Sequence, residues 1–112
     1  MLPKINRLKK RSDFDGVFKK GKGVKEDFLF LKLAENNLGV SRFGFVVSRK
    51  ISTKATARNK IKKRLKEAVK ALLPETKKGF DGVLVAQKNS GSKGYKETER
   101  VVASLFKKAK LI

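Results

Sequence analysis

The chain has 112 residues, with 30 lysines and arginines against 10 aspartates and glutamates, for a formal net charge of +20. That length suits one domain with a modest single core, and such a charge makes the compact state self-repelling unless a polyanion neutralises it. Histidine and cysteine are both absent, which excludes the usual zinc sites, serine–histidine triads and thiolate nucleophiles.

Residues 1–10 carry Lys4, Arg7, Lys9 and Lys10 with little periodicity, and are expected to form a partly ordered basic arm. Ser12 has N-cap chemistry for a short helix over 12–20. Asp13 and Asp15 fall in its first turn and Lys19 and Lys20 in its last, as the helix dipole favours. Phe14, Val17 and Phe18 form its apolar stripe, and Gly21-Lys22-Gly23 ends it.

Residues 28–34 alternate as a strand, with Phe28, Phe30 and Lys32 on one face and Leu29, Leu31 and Leu33 on the other. Turn chemistry over 35–39 leads into a second strand over 40–48, and the two are expected to pair as an antiparallel hairpin. Phe43, Phe45 and Val47 share one face of the second strand. A basic loop over 49–54 enters a long helix, capped by Thr53 or Thr56, that ends near Leu73 ahead of Pro74. Residues 80–86 form an apolar run of β-type composition that predicts an interior strand. After a polar loop, a last helix over 95–109 buries Val101, Val102, Leu105, Phe106 and Ala109. Helix, two or three strands, helix, strand, helix makes a compact α/β sandwich, one domain over 1–112.

The long helix is the most informative element. Ile61, Leu65, Ala68, Val69 and Leu72 recur at helical spacing and mark one buried face. Arg58, Lys60, Lys62, Lys63, Arg64 and Lys66 crowd the rest of its first half, with only Glu67 nearby to offset them. A helix anchored on one side and densely cationic on the other is built to meet a nucleic acid. Asn59 interrupts the run. Its amide either satisfies backbone groups in the first turn or makes directional hydrogen bonds to a phosphate, sugar or base.

Phe14, Phe18, Phe28 and Phe30 are either core or a stacking platform with Lys32, Lys50 and Asn59 as polar walls, the arrangement single-stranded nucleic acid prefers. The leucine face of the first strand suits packing under the long helices. The phenylalanine face is then covered only by the short first helix, which leaves room for a groove. The ten acids are scattered, so no carboxylate pair or metal-holding cluster can be argued. No stretch approaches the ~20 apolar residues of a membrane span. The first residues hold no signal-peptide core, and the lack of cysteine fits a reducing compartment, so a cytoplasmic location without membrane attachment is expected.

At Ala55-Thr56-Ala57-Arg58-Asn59-Lys60-Ile61-Lys62 and Leu65-Lys66 the chain resembles the protein subunit of bacterial-type ribonuclease P, whose helix signature places an Arg-Asn pair ahead of alternating basic and aliphatic residues. Arg7-Leu8, Asp13-Phe14, Val17-Phe18, the stretch 44–50 and Phe80-Asp81 extend the resemblance over nearly the whole chain. Lys60 and Lys63 depart from it, since the family more often has arginine there. Lysine keeps the charge and lacks the planar bidentate fork.

The resemblance implies an α-β-β-β-α-β-α fold with a four-stranded central sheet and a left-handed β-α-β crossover. It implies a ribonuclease P RNA partner that carries the catalytic site and uses Mg²⁺, held mainly by the RNA, to remove the 5′ leader of precursor tRNA. This chain would then supply no catalytic residue and require no protein partner. It would hold the leader in a central cleft, for which the resemblance points to Phe14, Phe18, Phe30, Lys50, Asn59 and Ala86, with Phe28 and Lys32 added from the platform. Arg58, Lys60, Lys62, Lys63, Arg64 and Lys66 would dock the RNA, joined by Arg7, Arg49 and Lys54. A ribosomal-type structural RNA-binding protein is the alternative that composition alone would allow. A stand-alone nuclease would need the clustered carboxylates that the sequence lacks.

Overall fold

The computed structural model describes residues 2–112. In chain order the elements are α1 (Arg11–Lys20), β1 (Lys22–Glu26), β2 (Leu29–Glu35), β3 (Arg42–Val46), α2 (Ala55–Leu72), β4 (Phe80–Ala86) and α3 (Tyr95–Lys108), with short 3-10 turns at Lys4–Asn6, Leu73–Glu75 and Ser90–Ser92. This is the expected α-β-β-β-α-β-α order. The four strands form one sheet in the order β1-β2-β4-β3. β2 runs antiparallel to both β1 and β4, whereas β3 is parallel to β4, with α2 as the crossover between them.

One face of the sheet carries the main core. Leu29, Leu31, Phe43 and Leu84 meet Ile61, Leu65, Ala68 and Val69 of α2 and Val101, Val102, Leu105 and Phe106 of α3, all buried. Phe43 and Phe106 stack with ring centroids 5.4 Å apart, which ties the edge strand to α3. The other face is covered by α1 and by Leu8 just ahead of it, through a small cluster of Leu8, Val17 and Val83. Helices are therefore distributed two against one, and the face under α1 is the one left partly open.

The expected hairpin of the two phenylalanine-rich strands does not form, because β4 lies between them. β4 is buried on both faces from Gly82 to Leu84, so it takes the centre, where both edges are paired. The hairpin that does form joins β1 to β2, from Lys22↔Leu33 to Glu26↔Leu29. β1 was hidden by its lysines, which suit an exposed edge strand. Gly23 is required there, since a Cβ would overlap the Phe30 ring that lies across it.

Residues 2–10 are not a partly ordered arm. Leu2 and Leu8 are buried, and the Leu8 N–H donates to the Phe43 carbonyl at 2.9 Å. Arg7 Nε donates to the Leu2 carbonyl at 2.7 Å and Asn6 Nδ2 to the Ser41 carbonyl at 2.8 Å. The segment thus covers part of the free edge of β3, and two isolated leucines were too few to show as a pattern. The expected caps also fail. Ser12 sits inside α1, whose N-cap is Lys10. The N-cap of α2 is Lys54, and neither cap position makes a side-chain hydrogen bond.

Leu84 is fully buried at the centre of the sheet, opposite Leu31 and Phe45. Leu84→Ala is expected to lower the unfolding free energy by about 2–5 kcal/mol, read from urea denaturation. A second expectation concerns pH. Lys108 and Ser104 of α3 donate to Glu26 of β1 and hold its carboxyl below the usual carboxylate range, the Lys108 bond being the larger cause. A depressed carboxylate pKa adds stability above its unfolded value, and that stability is lost as pH falls through the folded value. Glu26→Gln should therefore lower stability modestly at neutral pH and leave it unchanged well below the carboxylate range, so that urea denaturation across pH shows a shallower acid limb.

Candidate nucleic-acid interface

Strand register sets out three rows across the face under α1. Phe30, Val85 and Val46 form the first row, Lys32, Val83 and Gly44 the second, and Ala34, Asp81 and Arg42 the third. α1 lies over the second and third rows. Val83 beneath it is fully buried, and a Cβ at Gly44 would overlap the Phe14 ring, so glycine is what lets the helix settle this close. The first row is only half-buried. Phe18, one turn beyond Phe14, stands 44% exposed at the rim. The result is a shallow cleft with an aromatic and aliphatic floor and a phenylalanine at its edge, the kind of surface on which unpaired bases stack.

Not every residue expected in the cleft is there. Phe14, Phe18 and Phe30 are on this face, with Lys32 half-buried beside them. Phe28 is not: it follows Asp27, which turns the chain at φ 54°, and its side chain is 3% exposed within the main core. Lys93 lies over its ring at 5.8 Å. Ala86 is likewise core, because it pairs with Leu29 on the helix-packed face. Val85 and Val46 take its place in the open row. Alternation along β4 would have given Val85, but only once the central position of that strand was known.

Beyond the first row, the loops that follow β3 and β4 meet around Lys50, Ile51, Lys88 and Asn89. Lys50, Arg49 and Lys54 are exposed. Asn59 is exposed too, and among the described residues its side chain has no hydrogen bond, so its amide is not used for capping.

On α2, Lys60 and Lys63 are exposed, while Arg58, Lys62, Arg64 and Lys66 are half-buried. The two arginines are held in place: Arg58 Nη1 donates to the Ser52 carbonyl at 2.9 Å and Arg64 Nη1 to the Lys93 carbonyl at 2.8 Å. Each guanidinium keeps further donors for an outside partner. Lys62 and Lys66 line a pocket of about 310 Å³ with Arg7 and Lys9, over a floor that includes Phe14 and Gly44. That pocket joins the cationic helix to Phe14, near the start of α1, across the edge of β3. Lys9 was not singled out from the sequence, since only the docking of residues 2–10 brings it here.

The third row is a polar network. Arg42 Nε and Nη2 donate to the two oxygens of Asp81 at 2.9 and 2.7 Å. Asn36 Nδ2 donates to Asp81 Oδ1 at 2.8 Å. Asp81 is nearly buried, and its hydrogen bond raises the Arg42 pKa further above its ordinary value. Among the described residues, no group of three or more acidic side chains converges to hold a metal ion. The surface is equipped to bind a polyanion.

A family model described as Ribonuclease P matches residues 2–110. The chain is 36% identical over 108 residues to the ribonuclease P protein component of Alkaliphilus oremlandii, spanning 96% of this chain and 94% of that protein. It is 35% identical over 107 residues to that of Clostridium botulinum strain Langeland, spanning 95% and 96%. The fold matches the RNase P protein from Thermotoga maritima with a TM-score of 0.83 at 31% identity, covering 91% of this chain and 96% of that one. A Staphylococcus aureus RNase P protein mutant described as defective in mRNA degradation gives a TM-score of 0.90 at 26% identity, covering 97% and 92%.

Binding of single-stranded RNA should be steeply salt-dependent. For about 6–10 neutralised phosphates, log K against log salt should have a slope of about −4 to −7. Lys62→Ala with Lys66→Ala should reduce that slope by about 1.4. Fluorescence anisotropy across a salt series checks both.

Proposed function

This chain belongs to the ribonuclease P protein family, and from that premise we propose that it docks its α2 face on the RNA subunit while the cleft beside α1 holds the 5′ leader of precursor tRNA. As a ribonuclease P protein component of bacterial type, it is a subunit of a tRNA-processing endoribonuclease that works with an RNA partner. The observation that carries the finer reading is the juxtaposition of two unlike surfaces. A cationic helix, suited to a folded RNA, reaches across the edge of β3 to Phe14 and Gly44, on the sheet face that also carries an apolar row with an exposed phenylalanine at its rim, suited to unpaired bases.

In this reading Phe18, Phe30, Val46 and Val85 form the leader floor and rim. Lys32, Lys50 and Asn59 meet leader phosphates and sugars, and Phe14 supports the rim from α1. Arg7, Lys9, Lys62 and Lys66 bind RNA phosphates in the pocket against β3. Arg49, Lys54, Arg58, Lys60, Lys63 and Arg64 extend that contact along the loop and helix. Among the described residues no group of three or more acids is placed to hold a metal ion, and the reading puts the active site and its Mg²⁺ in the RNA partner. The protein contributes positioning and charge neutralisation, requires no protein partner, and works in the cytoplasm. No helix among the described residues is long and apolar enough to cross a membrane.

Reconstitution tests this directly. The protein is mixed with a bacterial ribonuclease P RNA at low Mg²⁺, and affinity and cleavage are measured for precursor tRNA with a long and with a one-nucleotide leader. Stimulation should be larger for the long leader. Phe18→Ala should leave the melting temperature nearly unchanged, since the ring is exposed, while removing about 1–3 kcal/mol of leader-dependent affinity. Equal stimulation of both substrates would refute the cleft assignment, and no stimulation of either would refute RNA docking as well.

A further inference from the structure

The third row of the sheet lies under α1 and does not reach the open part of the cleft, yet it holds charges that the binding surface does not need. Arg42 is fixed on the sheet by its bidentate pair with Asp81 and by the Asn36 amide behind that carboxylate. Its remaining nitrogen, Nη1, faces Asp13 Oδ2 at 3.6 Å, with both side chains about one quarter exposed. Asp13 is in the first turn of α1, immediately before Phe14, whose ring rests on Gly44. The start of α1 is therefore held to the sheet at two adjacent residues, one by packing and one by charge. At its far end Gly21 closes the helix against the Leu33 backbone, where a Cβ would not fit. Between these ends the helix carries Phe18, which has no such anchor and stands at the rim.

We infer that Asp13 and Arg42 are positioning residues for the leader cleft: their ion pair fixes the height of α1 over the sheet and so the gap between Phe18 and the Phe30–Val85–Val46 row. This rests on the leader reading of the cleft given above. Neither side chain touches the leader. Arg42 also offsets Asp13 and Asp81 at once, so that two carboxylates can lie under a surface meant for an anion. A base sandwiched by the cleft loses contact quickly as the gap opens, because dispersion attraction falls steeply with separation. A long leader must feel that change, whereas a one-nucleotide leader, too short to lie along the row, must not.

The control is on the same helix. Asp15 is also acidic and exposed, and among the described residues it has no ion pair. Asp13→Asn and Asp15→Asn remove the same charge from α1, and only the first removes the tether. In the reconstituted holoenzyme, Asp13→Asn should weaken binding of long-leader precursor tRNA relative to the one-nucleotide substrate by about two- to fivefold, the range of a partly exposed ion pair. Asp15→Asn should leave that ratio unchanged, and Asp13→Glu should restore most of it.

Melting temperatures of all three variants separate this from plain destabilisation, which would not alter the ratio between substrates. An unchanged ratio in Asp13→Asn, or the same change in Asp15→Asn, overturns the inference while leaving the leader cleft standing. A wild-type protein that shows no leader-length preference overturns the cleft reading and this inference with it.

Discussion

β4 is the element on which the two working surfaces depend. It is paired along its whole length with β2 and over Asp81 to Val85 with β3, so it cannot shift without breaking both ladders. Its odd and even residues point into different environments. Gly82, Leu84 and Ala86 face α2 and α3, whereas Asp81, Val83 and Val85 face α1. One seven-residue strand thus separates the core that anchors the cationic helix from the floor of the cleft. The parallel pairing with β3 requires a crossover connection, and α2 is that crossover. The basic helix is therefore built into the topology of the sheet.

Charge imposes the second constraint. Ten acids cannot offset thirty cations. Ion pairs gather at Arg42 under α1 and at Arg100 and Lys108 on α3. Exposed pairs such as those of Arg100 contribute little to stability. Folding must then rest on the apolar core, with Leu65, Ala68, Val69, Val101, Val102, Leu105 and Phe106 all excluded from water. The excess positive charge remains available for a polyanion, whose binding stabilises the fold by mass action.

Helical periodicity was legible because each long helix repeats its apolar spacing several times. Ile61, Leu65, Ala68 and Val69, and Val101, Val102, Leu105 and Phe106, all proved to be core. The alternation of β2 was legible too, with its leucine face inward. What failed were features set by pairing rather than by local pattern. Nothing in residues 28–48 says that a strand from residues 80–86 will enter between the two phenylalanine-rich segments. Lys22–Glu26 lacks apolar alternation because an edge strand has one ladder and much solvent. The cleft followed the same rule: Phe14, Phe18 and Phe30 could be placed from their own elements, whereas Val85 instead of Ala86, and Val46, required the register. Phe28 was misplaced by one turn residue, Asp27, whose positive φ ends the strand alternation just before it.

Under the proposed reading, rigidity links the two surfaces. Stacking and phosphate contacts along a short leader are individually weak and salt-sensitive. Once α2 has docked on an RNA partner, however, the cleft is held at a fixed distance from it by the same sheet. Leader capture then becomes an intramolecular step at high effective concentration, without any new contact. That advantage is lost if the cleft can move relative to α2. Phe14 on Gly44 and the segment 2–10 along β3 join α1 to the strand that feeds α2, so the packing that closes the edge of the sheet also holds the leader site in register with the docked RNA.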